Sequence, residues 1–470
     1  MNFSETNFIY LFLPIVVGTF LVLNFYFSGR LARIHLLISS FIFYAYWDIN
    51  FLFLLILLLV VNRILHFLIL RERTSRLSLF LLIAINLSWL GYFKYSFFLL
   101  DLISSEGVNE NIFLPLAISF YTFQLIMYGI FVFRSKVVAS GIDFALYILF
   151  FPQLIAGPLV KFDYFNRRFE EAGTFKFHSR KFNTGILLFS VGLVKKVLIA
   201  NSLLAYHTLL YSEYSQGSEE YVFFLILIYS FYIYFDFSSY SDMARGIAQM
   251  LMLNLPRNFL SPYRARGIRE FWRRWHVTLS RFLRDTLYIP LGGARKGHGR
   301  FCLAVIVTMT LGGLWHGAGI NFVFWGASHG VFLILDRFFI GTAGVKFRCP
   351  AIAAIAYQFI VVSLLWVPFF SKSLSETFKI YSDLIRHLSS ISGVISILNV
   401  GNLFLLALLV ACGAAIWVLP RGEVFVRWLT LGAAPSLRKV AGLSALGGLL
   451  GVALVLVLIG EPHEFVYFQF

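Results

Sequence analysis

The 470 residues are 59% hydrophobic and carry a formal net charge of +16, with a mean hydropathy of +0.80. A soluble domain is nearer about 45–50% apolar, and apolar runs of about 20 residues, enough to cross a bilayer, recur along the whole chain. This excludes a soluble enzyme and leaves no soluble domain of useful size. The positive charge reads as orientation and contact with anionic lipid, not as nucleic-acid binding. Cys302, Cys349 and Cys412 lack metal-type spacing, so neither a disulfide framework nor a metal site is expected.

The N-terminal stretch MNFSETNFIYLFLPIVVGTFLVLNFYF has no basic n-region and no small-residue cleavage pattern, and reads as a retained first membrane helix. Loops then alternate in sign. The apolar run near 8–27 is followed by basic GRLARIH, that near 34–46 by acidic WDIN, and that near 50–70 by basic RERTSR. The run near 77–100 precedes acidic DLISSEGVNEN, and that near 113–133 precedes basic FRSK. Basic loops face the cytoplasm, which puts the N-terminus outside. In DFALYILFFPQLIAGPLVKF, Pro152, Gly157 and Pro158 break the run, so a re-entrant or tilted element fits better than a crossing. Residues 161–182 read as a polar cytoplasmic segment, 183–210 go out and 221–253 return; later runs lie near 350–370, 401–419 and 440–460. The segment 371–400, with amphipathic SETFKIYSDLIRHL, reads as external. The expectation is an all-α polytopic protein of about ten to twelve crossings plus re-entrant and interfacial helices.

Residues 254–300 hold eleven arginines and lysines among 47 residues, interleaved with Trp, Phe and Leu. Within IREFWRRWHVTLSRFLRD, a helical projection puts Ile268, Phe271, Trp272, Trp275, Leu279, Phe282 and Leu283 on one arc of about 120°. Arg273, Arg274, Arg281 and Arg284 fall on the other side, and His276 at the edge of the apolar arc. This is the pattern of a continuous helix in the cytoplasmic interface. Upstream, Asp236 lies in apolar YIYFDF and is expected to have a buried partner. Asp242 and Arg245, three apart, can pair. His298 reads as a solvated loop residue, and His329 as a packing histidine.

His316 interrupts an apolar stretch as TLGGLWHGAG. Gly312, Gly313, Gly317 and Gly319 either let other backbones approach or let the helix break. An unperturbed imidazole titrates near about pH 6.5 and suits general-base work on a hydroxyl.

The stretches NFLSPYRARGIREFWRRWHVTLSRFLRDTLYIPLGG and GGLWHGAGINFVFWGASHG resemble the membrane-bound O-acyltransferase family. Support comes from LPLAISFYTFQ, FFPQLIAGPLVKF and YFDFSSYSDMARGIA, in order over roughly residues 1–340. Within the family the pattern is most similar to the alginate O-acetyltransferase membrane component and related polysaccharide-acetylating proteins. The teichoic-acid D-alanyl transfer proteins rank second, since their equivalents of PQLIAGP and YIPLGG read differently. Beyond about 345 no motif matches, and Phe131 stands where the family usually has an acidic residue.

The resemblance implies one integral-membrane domain over 1–470, with its core at about 114–340, forming a ring of helices around a central tunnel. It implies His316 and His276 as catalytic positions. It further implies no bound cofactor, and a cytoplasmic thioester donor, acetyl-CoA or an acyl carrier. The accompanying partners would be periplasmic or extracellular acetyltransferase proteins, a polysaccharide acceptor and the lipid bilayer. Substrate-contact candidates are Trp272, Arg273, Trp275, Arg284, Trp315, Asn321 and Asp236; Trp315 and Asn321 are also the candidates for oxyanion donors. From another class, a transporter or lipid-linked sugar flippase also uses broken helices and intramembrane acids. A scaffold for extracellular enzymes would leave His316 dispensable.

Overall fold

The computed structural model describes residues 1–71, 73–96, 98, 100, 114–171, 177–341, 350–390, 400–417, 421–430, 437–460 and 465. Every regular element among them is helical. In chain order the first helices are α1 (Phe8–Tyr26), α2 (Gly29–Ala45), α3 (Ile49–Leu70), α4 (Ser75–Tyr95), α5 (Ile118–Ser135), α6 (Gly141–Leu149) and α7 (Phe162–Glu171). There follow α8 (Ser179–Ser215), α9 (Val222–Met250), α10 (Ile268–Arg274), α11 (Val277–Leu283), α12 (His298–His316) and α13 (Ile320–Leu335). The last are α14 (Ala351–Phe370), α15 (Leu374–Ser389), α16 (Val400–Trp417), α17 (Gly422–Thr430) and α18 (Leu437–Ile459).

Among the described residues eight helices are long and apolar enough to cross a membrane, or nine if the bent pair α16–α17 counts as one span. The sequence expectation of ten to twelve also counted the runs that became α2 and α5, which fall outside those eight. Of the expected external segment 371–400, residues 391–399 lie outside the described residues, as does Cys349. Cys302 and Cys412 are free thiols.

The chain forms two compact units. The first comprises Met1–Leu193, Tyr240–Pro256 and Val426–Gln469; the second contains Val194–Ser239 and Arg257–Phe425. In the first unit, Phe8, Phe12, Phe43 and Phe151 pack ring to ring at 5.4–6.4 Å. The Pro- and Gly-broken run is wholly buried from Phe150 to Val160. Its helix α6 has nine residues, about 13 Å at 1.5 Å each, against a hydrocarbon core of about 30 Å. It is therefore a short embedded element, as the breakers imply. Its irregular backbone is satisfied internally: Gln153 Nε2 donates to the Tyr147 carbonyl at 2.8 Å, and the Tyr147 hydroxyl to the Val160 carbonyl at 2.7 Å. Arg33 pairs with Asp143 at 3.0 Å. Asp242 and Arg245 approach to 3.9 Å, so the i,i+3 pair forms loosely.

The second unit holds the stretches of interest. Lys196 Nζ and Asp236 Oδ1 meet at 2.7 Å with both side chains fully buried, which supplies the partner expected for Asp236. Lys196 sits in a π-helical turn, Lys195–Ala200.

Helices α12 and α13 form the tightest crossing. A Cβ on Gly313 would lie 2.1 Å from the Phe322 carbonyl oxygen, and one on Gly326 would lie 2.2 Å from that of Met309. Glycine is required at both positions because backbone meets backbone. Asn321 Nδ2 donates to the carbonyls of Pro368 (2.9 Å) and Ser371 (3.2 Å), tying α13 to the end of α14. Helix α15 begins with a capping pair: Ser373 Oγ accepts from the Glu376 N–H, and Glu376 returns to the Lys372 N–H.

Tyr263 is a junction. Its hydroxyl donates to the Ser230 carbonyl at 2.6 Å and accepts from Trp366 Nε1 at 3.1 Å. Its own carbonyl accepts from Trp417 Nε1 at 2.8 Å. Arg421 donates to Ser261 Oγ and the Leu260 carbonyl, and Arg257 pairs with Glu423.

Candidate active site

The helix expected to run unbroken over 268–285 is interrupted. It stops at Arg274 and restarts at Val277, with His276 between them in the left-handed region at φ 39° and ψ 56°. That conformation costs a non-glycine residue roughly 1–2 kcal/mol. The interruption moves His276 from the edge of the stripe to full burial. Ile268, Phe271, Trp275, Leu279, Phe282 and Leu283 stay buried as the periodicity requires. Burial pushes the His276 imidazole down to about 3, so it is neutral across the physiological range.

His316 is the last residue of α12 and is also buried. The four glycines around it divide their work. Gly312 and Gly313 lie inside an intact helix, where Gly313 gives close approach; Gly317 and Gly319 form the break that follows.

The two imidazoles flank one indole. The Trp315 ring lies 6.2 Å from His276 and 4.6 Å from His316, centroid to centroid. Phe237 covers His276 at 4.7 Å. Trp325 and Phe369 each stand 5.1 Å from His316. Two polar side chains 40 residues apart in sequence thus meet in an aromatic enclosure, where charge developing on bound groups is weakly screened.

A cavity of about 420 Å³ opens beside this enclosure. Arg269, Arg273, Arg284 and Arg337 rim it, and Leu283, Phe301, Val305 and Met309 line it. Its wall includes Trp272, whose ring meets Trp325 at 5.8 Å, and Trp325 in turn meets His316. Met309 precedes His316 by seven residues, about 10 Å along the helix. Arg269 pairs with Asp336 at 3.1 Å and Arg284 with Asp285 at 2.8 Å, and this charged rim over apolar walls suits an anionic head and an uncharged stem.

The remaining sequence candidates sort by position. Trp272, Arg273 and Arg284 line the cavity. Trp275 is a buried packing residue against Phe271 and Trp366 and does not line it. Arg274 is engaged with Glu270, and Arg281 is exposed away from the cavity. Asn321 directs its amide hydrogens to two backbone carbonyls. Asp236 is held by Lys196. His329 is fully buried and accepts from Trp272 Nε1 at 3.3 Å, a hydrogen-bonded packing role as expected. His298 starts α12 as an exposed residue instead of lying in a loop. Sequence reasoning missed Arg269, which shared the basic segment but was not singled out, and Arg337, which the chain brings back after α13.

The family model of the membrane-bound O-acyltransferases matches residues 133–367. A probable alginate O-acetylase AlgI of Pseudomonas aeruginosa is 38% identical over 402 residues, covering 81% of this chain and 74% of the relative. The chain belongs to the membrane-bound O-acyltransferase family. It is therefore a multi-pass membrane acyltransferase. A peptidoglycan O-acetyltransferase of Helicobacter pylori is 35% identical, covering 82% of this chain and 79% of its own. A teichoic acid D-alanyltransferase of Bacillus subtilis is 26% identical and covers only 41% of this chain. That order agrees with the ranking drawn from the motifs.

Proposed function

We propose that this acyltransferase moves an acetyl group from a cytoplasmic thioester, acetyl-CoA or an acyl carrier, across the bacterial inner membrane for O-acetylation of an extracellular or periplasmic polysaccharide. The observation that carries the reading is the convergence of His276 and His316 on Trp315 beside an arginine-rimmed cavity. The names borne by the relatives at 35–38% identity support acetyl as the group and a glycan as the acceptor. The alternating loop charges support an N-terminus outside and residues 254–300 at the cytoplasmic face.

The donor's phosphates would meet Arg269, Arg273, Arg284 and Arg337, with its stem along the apolar lining. His316 would take the proton of an accepting hydroxyl as the oxygen attacks the thioester carbonyl. The carbon–sulfur bond then breaks, and the departing thiolate receives the proton from the imidazolium. Neutral, buried His276 would orient the reacting group without exchanging charge. The acceptor is the glycan hydroxyl itself or a partner acetyltransferase that relays the group.

The test is acetyl content of the secreted polymer in a His316→Ala strain with normal membrane levels of the protein. Loss of acetylation is expected; unchanged acetylation sinks the assignment. Labelled acetyl-CoA supplied to membranes with and without the partner proteins separates direct transfer from relay.

A further inference from the structure

The left-handed turn at His276 is held from outside its own segment. A continuous helix over 268–283 would put the residue back at the stripe edge, so something must keep the chain broken. Asn258 does this through three bonds. Its backbone carbonyl accepts the Val277 N–H at 3.0 Å. Its side-chain Oδ1 accepts the Thr278 hydroxyl at 2.7 Å and the Thr278 N–H at 3.4 Å. The first N–H groups of a helix have no partner within it; here a residue 19 and 20 positions earlier takes two of them. On the other side of the turn, the Leu260 N–H donates to the Arg274 carbonyl at 2.9 Å. The non-helical stretch 258–260 therefore clamps both flanks of Trp275–His276. Asn258 is fully buried, and its Nδ2 has no hydrogen-bond partner among the described residues, so only its acceptor atoms engage the turn.

We propose that Asn258 is a positioning residue: by accepting from Val277 and twice from Thr278 it fixes the left-handed turn that sets the His276 imidazole beside Trp315. This rests on the reading that His276 belongs to the active site. It explains why the helix breaks with no proline or glycine at 275–277.

The experiment uses membranes carrying the full chain and its partner proteins, with labelled acetyl-CoA as donor. It compares Asn258→Ala, Asn258→Asp, Thr278→Val, Thr278→Ser and His276→Ala. Asn258→Ala and Thr278→Val should lower kcat about tenfold or more with donor KM nearly unchanged and normal protein level. Asn258→Asp and Thr278→Ser keep the acceptor and the hydroxyl, and should retain most activity. The Asn258→Ala/Thr278→Val double variant should be no worse than Asn258→Ala, because one interaction is removed in each. Full kcat in Asn258→Ala and Thr278→Val beside an inactive His276→Ala would overturn the clamp and leave the site reading intact. Equal losses in Thr278→Val and Thr278→Ser, with protein level falling in step, would also overturn it in favour of plain stability. An active His276→Ala would instead remove the reading beneath it.

Discussion

His316 and His276 reach the same indole by opposite routes. His316 is delivered by an unbroken helix whose placement is coded locally: Gly313 and Gly326 allow α12 and α13 to touch backbone to backbone, and Gly317 ends the helix one residue on. His276 is delivered by a break that its own neighbours do not encode and that Asn258 imposes from 18 residues away. The first imidazole is placed by glycines within a few residues of it and of the helix it crosses. The second depends on a distant acceptor, so its geometry is open to substitutions far from the chemistry.

The largest expected effect strikes the first route. His316→Ala should cost about 10²–10⁴ in acetyl transfer, the usual contribution of a general base, at unchanged membrane level. Gly313→Val should do comparable damage by another cause. Its side chain meets the Phe322 carbonyl, and protein level on membrane immunoblots should fall with activity, whereas His316→Ala leaves that level intact. Next comes the buried pair beneath the second route, since Phe237 beside Asp236 covers His276. Lys196→Met alone leaves a buried carboxylate and should lower stability by about 3–5 kcal/mol. Lys196→Met with Asp236→Leu should recover most of it, as detergent melting would show. A smaller effect is expected at the cavity. Arg273→Ala with Arg284→Ala should raise donor KM severalfold, while Arg281→Ala, outside the cavity, leaves it unchanged. The smallest concerns pH. Burial holds His276 down at about 3, so it stays unprotonated as pH falls from 8 to about 5. His276→Asn should lower the rate uniformly over that range without moving any inflection of the pH–rate profile.

The membrane character, the broken run around Pro152, Gly157 and Pro158 and the glycine-rich surroundings of His316 were legible because composition and local breakers dictate them. Periodicity also named six residues of 268–283 that are buried, although Trp272, on the same arc, is only half-buried and Val277 and Thr278 are buried without having been on it. It failed at His276 because periodicity assumes a continuous helix, and the acceptor that stops the helix lies in another segment. What engages Asn321 was hidden for a related reason: the carbonyls of Pro368 and Ser371 that accept from its amide are 47 and 50 residues away. Arg337 joins the cavity only because α13 returns the chain to it, which no local pattern announces.

The junction at Tyr263 bears on engineering. Trp417, Arg421 and Glu423 lie beyond the residues matched by the family model, in the part of the chain without a recognisable motif. Yet they grip Tyr263, Leu260, Ser261 and Arg257, the immediate neighbours of the Asn258 clamp. A chimera that exchanged the C-terminal helices with those of a relative would therefore carry over the motifs and still detune the turn. The place to cut is not where the similarity ends but after the residues that hold this loop.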